Sequence, residues 1–337
     1  TSGRFRQLTT ASPEAVETLF VPVILVDFPD FHYNSTSYPI PAGGTQPSPA
    51  VGTQQAFDSI LFSRKGEPGG NPTGSMTDYF FENSYGNVVL TGDVYGWYTV
   101  GDNYSFYVGS NSGLGGGGAT LAHDAVVAAA GQGVDFTKYD NDGNGSIDGV
   151  VVVHAGPGAE TGAYGIWSHR SDMPLVFLPN NKYALAYTIN PEEFGANVQP
   201  IGVFCHEYGH IMGLPDLYDT DATHTQSEGL GAWSLMASGN YNGGSRLPAH
   251  LDPWCKKELG FIDLFAHELL TTSPNLHQAA IPQAATEPFV YYLATVSGGA
   301  VEYFLIENRQ WAGFDAGLPG EGLCIYHVDE SMFNNNN

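Results

Sequence analysis

The sequence predicts an α+β fold in two lobes. Residues 1–213 form a lobe with a mixed β-sheet and one chemically marked helix, and residues 214–337 form a lobe that ends in strands. Three observations carry this reading. The apolar runs VPVILVDF at 21–28 and GVVVVH at 149–154 have the character of strands buried on both faces. A helical stretch from about Gln199 stops at Gly213, with Pro215 just beyond it. Towards the C-terminal end, FVYYLATV, VEYFLIENRQ and GLCIYHVDE are strand-like.

Taken in order, the run at 21–28 closes in a Phe-Pro-Asp turn, where Asp27 and Asp30 are turn formers or, alternatively, cation ligands. Residues 32–50, rich in Ser, Thr, Pro and Gly, read as a surface loop. Helices are expected at 52–63 and 74–84, the second opening with a capping box of Ser75 and the acidic residue three positions later. Residues 87–100 alternate around two glycines and are expected to form a hairpin. A glycine-rich loop then leads into a helix at 119–130. Residues 182–190 alternate as a strand just before the marked helix, and residues 247–261 read as a helix ended by glycine. His154 and Glu160 fall at the end of the second buried strand, where a structural role is the ordinary one. No internal repeat is visible.

Composition narrows the function classes. The 337 residues carry a formal charge of -24, which argues against nucleic acid and anionic membrane as partners. Only 14% of residues are charged, whereas 42% are hydrophobic and 13% aromatic, as in a compact globular protein. No apolar run approaches a transmembrane length, and the chain opens without a signal peptide, so the protein is either intracellular or the mature form of a secreted one. The acidity, the high Gly and Tyr content and the calcium-type loop below favour the processed, secreted form, and a monomer is expected. Cys205, Cys255 and Cys324 are read as buried free thiols or as one disulfide plus a thiol. Asn34 and Asn103 begin glycosylation sequons.

The chemistry concentrates in CHEYGHIMGLPDLYD, residues 205–219. His206 and His210 lie four apart, so on a helix both imidazoles leave one face and can reach one metal ion. Glu207 sits beside the first of them, placed to act as a general base on a metal-activated water. Gly213 permits a left-handed stop, after which Asp216 can swing back as third ligand and leave a fourth position open for water. Asp219 and Glu228 are the alternative third ligands, less well spaced than Asp216.

A second signature is YDNDGNGSID, residues 139–148. Asp140, Asp142, Asn144, Ser146 and Asp148 place oxygens at alternate positions around Gly145, as in a short calcium loop. The closing glutamate of a full EF-hand is missing, since its position is Val151. The alternative is an Asx-rich turn that binds nothing.

The extended metal motif is similar to the metzincin pattern H-E-x-x-H-x-x-G-x-x-H, with aspartate in place of the last histidine. That likeness implies a methionine turn beneath the metal, for which GAWSLMASG, with Met236 at its centre, is the candidate. It also implies an edge strand above the metal helix that pairs with an extended substrate, for which residues 182–190 are the candidate. With VILVDFPD, MTDYFFENSYG and DNDGNGSIDGVVVVHAG, these blocks together resemble the immune inhibitor A-type secreted metalloproteases. The resemblance implies a metzincin-like zinc protease domain, Zn2+ and Ca2+ as cofactors, protein or peptide substrates, and a zymogen whose own propeptide is removed. It assigns zinc to His206, His210 and Asp216, the base to Glu207 and the turn methionine to Met236. Tyr241 or His224 is a candidate to assist the oxyanion. The rival reading is a catalytically silent, calcium-stabilised surface or binding protein on a protease fold.

Overall fold

A computed structural model describes residues 16–33, 53–67, 70–195, 197–220, 227–269, 280–294 and 302–332. The chain divides into two compact units. One takes in the described parts of Thr18–Asp78 and Val89–Gly213; the other takes in those of Tyr79–Val88 and Leu214–Asn337.

The first unit is built on β1 (Glu17–Asp27), α1 (Gln54–Phe62), α2 (Met76–Asn83) and β2 (Val88–Thr99). It continues through α3 (Tyr104–Val108), α4 (Gly117–Gly131), β3 (Ser146–Ile147), β4 (Val150–Pro157), β5 (His169–Leu178), β6 (Lys182–Phe194), β7 (Asn197–Val198) and α5 (Ile201–Ile211). The division between the units passes through α2 after Asp78. The capping box at its start is formed: Asp78 N–H donates to Ser75 Oγ at 3.1 Å and Ser75 N–H to Asp78 Oδ2 at 3.2 Å.

The strands form one mixed sheet of order β2-β1-β4-β6-β3, with β5 and β7 also paired to β6. β1, β4 and β6 are parallel, aligned as Val23–Val151–Thr188 and Leu25–Val153–Asn190. Side chains alternate between faces along such strands. Ile24, Val26, Val150, Val152 and Ile189 therefore point together into a core completed by Leu121, Ala125 and Val126 of α4 and Tyr107 of α3. Val151 and Val153, buried but absent from that core, face the other way. Helix α5 packs on β5 and β6. Phe204 of α5 meets Phe57 of α1 edge to face, ring centroids 6.5 Å apart.

Two expectations for this unit are corrected. Residues 87–100 form the single strand β2 and not a hairpin, because the glycines serve close approach: a Cβ on Gly92 would lie 1.9 Å from the Val21 carbonyl oxygen. Residues 182–190 are not an edge. Tyr187 pairs with Val150 on one side and Ser171 on the other, so β6 is interior and β5 is the antiparallel outer strand.

The second unit contains the short turn α6 (Asn242–Ser245), α7 (Pro253–Glu258), β8 (Glu268–Leu269), β9 (Tyr291–Ala294), β10 (Glu302–Arg309) and β11 (Gly322–Asp329). The expected helix at 247–261 shrinks to α7. Asp252 caps it and Pro253 takes its first position, so the chain before them runs outside the helix. The strands form a sheet of order β11-β10-β9-β8. Alternation on β10 sends Tyr303 and Leu305 inward to meet Ile262, Val290, Tyr292 and Tyr326. The same face buries Glu307 and Arg309. All three cysteines are free thiols. No helix among the described residues is long and apolar enough to cross a membrane.

Candidate metal centre

Helix α5 carries His206 and Glu207 in buried positions and His210 at its last turn. One helical turn separates the two histidines, so their rings meet at 4.8 Å between centroids, nearly perpendicular. Their Nε2 atoms face each other at 3.2 Å. The helix ends through Met212 N–H to the Tyr208 carbonyl at 3.0 Å and Gly213 N–H to the His210 carbonyl at 3.1 Å. Gly213 then takes φ +97°, and a Cβ there would touch nothing within 4 Å. Backbone conformation, not crowding, is what requires glycine at this stop.

The reversed chain returns Asp216 toward the histidines. His206, His210 and Asp216 each offer a ligand atom, and these atoms lie within 4.8 Å of one another; among the described residues no other group of three His, Cys, Asp or Glu side chains does so. Four-coordinate zinc with Zn–N near 2.0–2.1 Å holds two imidazole nitrogens roughly 3.3 Å apart, so the Nε2 separation fits that ion. Two nitrogens and one carboxylate oxygen are also an ordinary zinc donor set. Of the alternative third ligands, Glu228 is exposed and Asp219 half-buried, and neither joins this group.

Met236 is fully buried, and its carbonyl accepts Leu217 N–H at 2.8 Å, so the loop around it is bonded to the residue beside Asp216. Tyr241 is exposed, while His224 and Asn34 lie outside the described residues. A cleft of about 440 Å³ opens beside Asp216 and Leu217, bounded by Trp254, Tyr326, His327 and Glu330.

The second signature folds into a turn of interlocking side-chain bonds. Asp142 Oδ1 accepts Asn144 N–H at 3.0 Å, Asn144 Oδ1 accepts Ser146 N–H at 2.7 Å, and Asp140 Oδ2 accepts Gly145 N–H at 2.9 Å. Asp148 Oδ2 takes both the backbone and the side-chain N–H of Asn141, at 2.7 and 2.8 Å. Asp140 is also ion-paired with Lys182 of β6. Burial alone would raise its pKa, but the lysine and the Gly145 amide hold it below the usual carboxylate range. Asp140, Asp142 and Asp148 do not converge as the α5 group does.

His154 is buried, with Nδ1 against the Ala155 carbonyl at 2.9 Å, and burial pushes its pKa down to about 4. Glu160 accepts the Ser168 hydroxyl at 2.6 Å, and burial raises its pKa. His154 is an internal group and Glu160 a half-buried one. What sequence reasoning missed is the support under Met236: buried Ser234 and Asp252, bonded at 2.8 Å. The signal available was Asp252-Pro253, a helix-start pair.

The family model of the immune inhibitor A peptidase M6 catalytic domain matches residues 10–261. The chain is 31% identical over 276 residues to Pre-pro-metalloprotease PrtV of Vibrio cholerae serotype O1, an alignment covering 70% of this chain and 29% of that protein. It is 32% identical over 261 residues to Immune inhibitor A of Bacillus thuringiensis subsp. alesti, covering 66% of this chain and 36% of that one. The chain thus spans about a third of the length of these relatives.

Proposed function

The chain belongs to the immune inhibitor A family of M6 peptidases, and from that premise we propose that it is a secreted, metzincin-like zinc endopeptidase acting on proteins or peptides. The observation that carries the reading is the pair of Nε2 atoms 3.2 Å apart with Asp216 beside them. His206, His210 and Asp216 would hold the ion, which when bound would supply Lewis acidity and lower the pKa of a water to about 7. Glu207, next in sequence to His206, accepts the proton of the attacking water and returns it to the departing amine.

Burial of His206 and Glu207 limits their freedom to turn away from the reacting bond. Among the described residues the outer strand β5 is paired on one side only, by β6, and an extended substrate adds to its other side as a further strand. Pro174 and the register shift between Asp172 and Val176 confine that pairing to the His169 end. In this reading the loop from Asp140 to Asp148 takes calcium, which the buried Asp140 Oδ1, without a hydrogen-bond partner, supports although the three aspartates are less closely gathered than the α5 group. The protein acts as a monomer after removal of a propeptide, a processing step that the name of the Vibrio relative, a pre-pro-metalloprotease, supports.

The test is metal analysis combined with casein cleavage. One zinc per chain, cleavage lost to a zinc chelator and regained with zinc, and loss of that zinc in Asp216→Ala are expected. Cleavage that persists without zinc, or stoichiometric zinc retained in Asp216→Ala, overturns the mechanism or the ligand set respectively.

A further inference from the structure

We propose that Ser234 and Asp252 are positioning residues for the metal centre, forming a buried latch that fixes the backbone from which Asp216 reaches its ion. The inference rests on the reading of Asp216 as the third ligand.

A serine hydroxyl has one proton to give and lone pairs to accept with. Ser234 uses both, donating to Asp252 Oδ2 at 2.8 Å and accepting Met236 N–H at 3.2 Å. Ser234, Met236 and Asp252 are all buried. Asp252 is anchored in turn, since its Oδ1 accepts Trp254 N–H at 3.0 Å and Cys255 N–H at 3.1 Å as the N-cap of α7. A charged acceptor that serves a helix start and a hydroxyl together gives strong, directional bonds.

The latch passes to the ligand through two backbone bonds. The Met236 carbonyl accepts Leu217 N–H at 2.8 Å, and the Leu217 carbonyl accepts Leu230 N–H at 3.0 Å. Leu217 is the residue after Asp216, so the Asp216–Leu217 peptide is held by the Met236 carbonyl and the peptide after it by the Leu230 N–H. Aspartate reaches over a single methylene and has little slack to correct a misplaced backbone, whereas a histidine at this position would reach further. Ligating groups need placement within roughly 0.5 Å, which makes the latch a condition of affinity for the ion.

The experiment measures zinc dissociation constants by competition with a chromophoric chelator, alongside melting temperature, for the wild type, Ser234→Ala, Ser234→Thr and Asp252→Asn. Outer groups that orient ligands typically contribute about 10- to 100-fold in metal affinity. Ser234→Ala is expected to weaken zinc binding by that factor, and Ser234→Thr, which keeps the hydroxyl, to restore most of it. Asp252→Asn keeps an oxygen to cap α7 but loses the carboxylate acceptor of the Ser234 proton, and serves if Ser234→Ala does not fold.

Asp216→Ala leaves a weaker two-histidine site that loses stoichiometric zinc but keeps a residual dissociation constant readable by the same competition at higher zinc. There neither Ser234→Ala nor Asp252→Asn should weaken binding further, because the latch acts through Asp216. Zinc affinity unchanged within about twofold in folded Ser234→Ala or Asp252→Asn overturns the proposal. An equal loss with or without Asp216 does so too. A wild type that binds no zinc instead removes the proposed function itself, and the two failures are thereby separated.

Discussion

Lys256 and His250 meet inside the second unit with Nζ 3.3 Å from Nδ1. The ammonium can only donate, so His250 Nδ1 accepts, and Nε2–H donates to Glu82 Oε1 at 2.7 Å. Lys256 also donates to Tyr85 Oη at 2.9 Å and to the Ala284 carbonyl at 3.3 Å. Its three protons are thus used, and its position is set by groups far apart in sequence.

Stability should rise with pH because of this lysine. Burial pulls the Lys256 pKa from 10.5 down to about 8, against the raising pull of Glu307, Asp315 and Glu82 and with the repulsion of Arg309. Between those two values the unfolded chain holds the proton more firmly than the folded one, so the residue's destabilising contribution shrinks as pH climbs. On the order of 2 kcal/mol is regained between pH 8 and 10. Tyr85 is raised by its own burial and pulls the other way only above pH 10. Urea denaturation of wild type and Lys256→Met across pH 7–10 isolates the effect: the difference between them should change by that amount, and parallel curves would refute it.

Arg309 should be one of the costliest residues to remove. Its guanidinium is fully buried, bonded to Asp315 by Nε at 2.7 Å and Nη2 at 2.6 Å, and to Glu307 by Nη1 at 3.0 Å. Taking away one partner of a buried ion pair strands the other charge, at a cost of about 3–5 kcal/mol. Arg309→Met should show that loss in denaturant midpoint without a change in slope. Burial would raise the Asp315 pKa, but Arg309 and the His250 backbone N–H, which donates to Asp315 Oδ1 at 2.9 Å, hold it at about 2. Its depressed value stabilises the fold above the unfolded pKa of 3.8, and that stability disappears as pH falls through about 2.

Glu207→Gln should separate binding from turnover. The amide nearly matches the carboxylate in shape but cannot accept the proton, so kcat should fall by about 10²- to 10⁴-fold or more. Zinc content should stay at one per chain, because Glu207 is not in the ligand group. A variant that keeps wild-type kcat would mean the base is elsewhere.

The convergence of His206, His210 and Asp216 was legible because its geometry is local. Four-residue spacing on a helix and a glycine stop fix where His206, His210 and Asp216 stand, and Ser75 with Asp78 announced α2 in the same way. What the sequence withheld depends on partners distant along the chain. Gly92 looks like a turn until Val21 is known to run beside it. The alternation at 182–190 identifies a strand but not that Val150 and Ser171 flank Tyr187. Lys182 beside Asp140, and Ser234 beside Asp252, are likewise pairings that no local pattern encodes.

Lys182 makes the loop from Asp140 to Asp148 testable as a cation site. The Asp140 side chain is fully buried, with Oδ2 shared by Lys182 and the Gly145 amide and Oδ1 without a hydrogen-bond partner. A buried carboxylate needs positive charge close by, and here an ammonium supplies it. Lys182→Met removes that charge, so with calcium held down by a calcium-selective chelator the variant should be less stable than wild type by about 1–3 kcal/mol. Added calcium should restore it, since a ligand at a hundredfold excess over its Kd stabilises by about 2.7 kcal/mol. Thermal melts of both proteins across a calcium titration check this. A larger calcium response in Lys182→Met than in wild type is expected, because the ion no longer competes with the ammonium for Asp140. If neither protein responds, the loop is a turn held by its own side chains, with Lys182 as its permanent counter-charge.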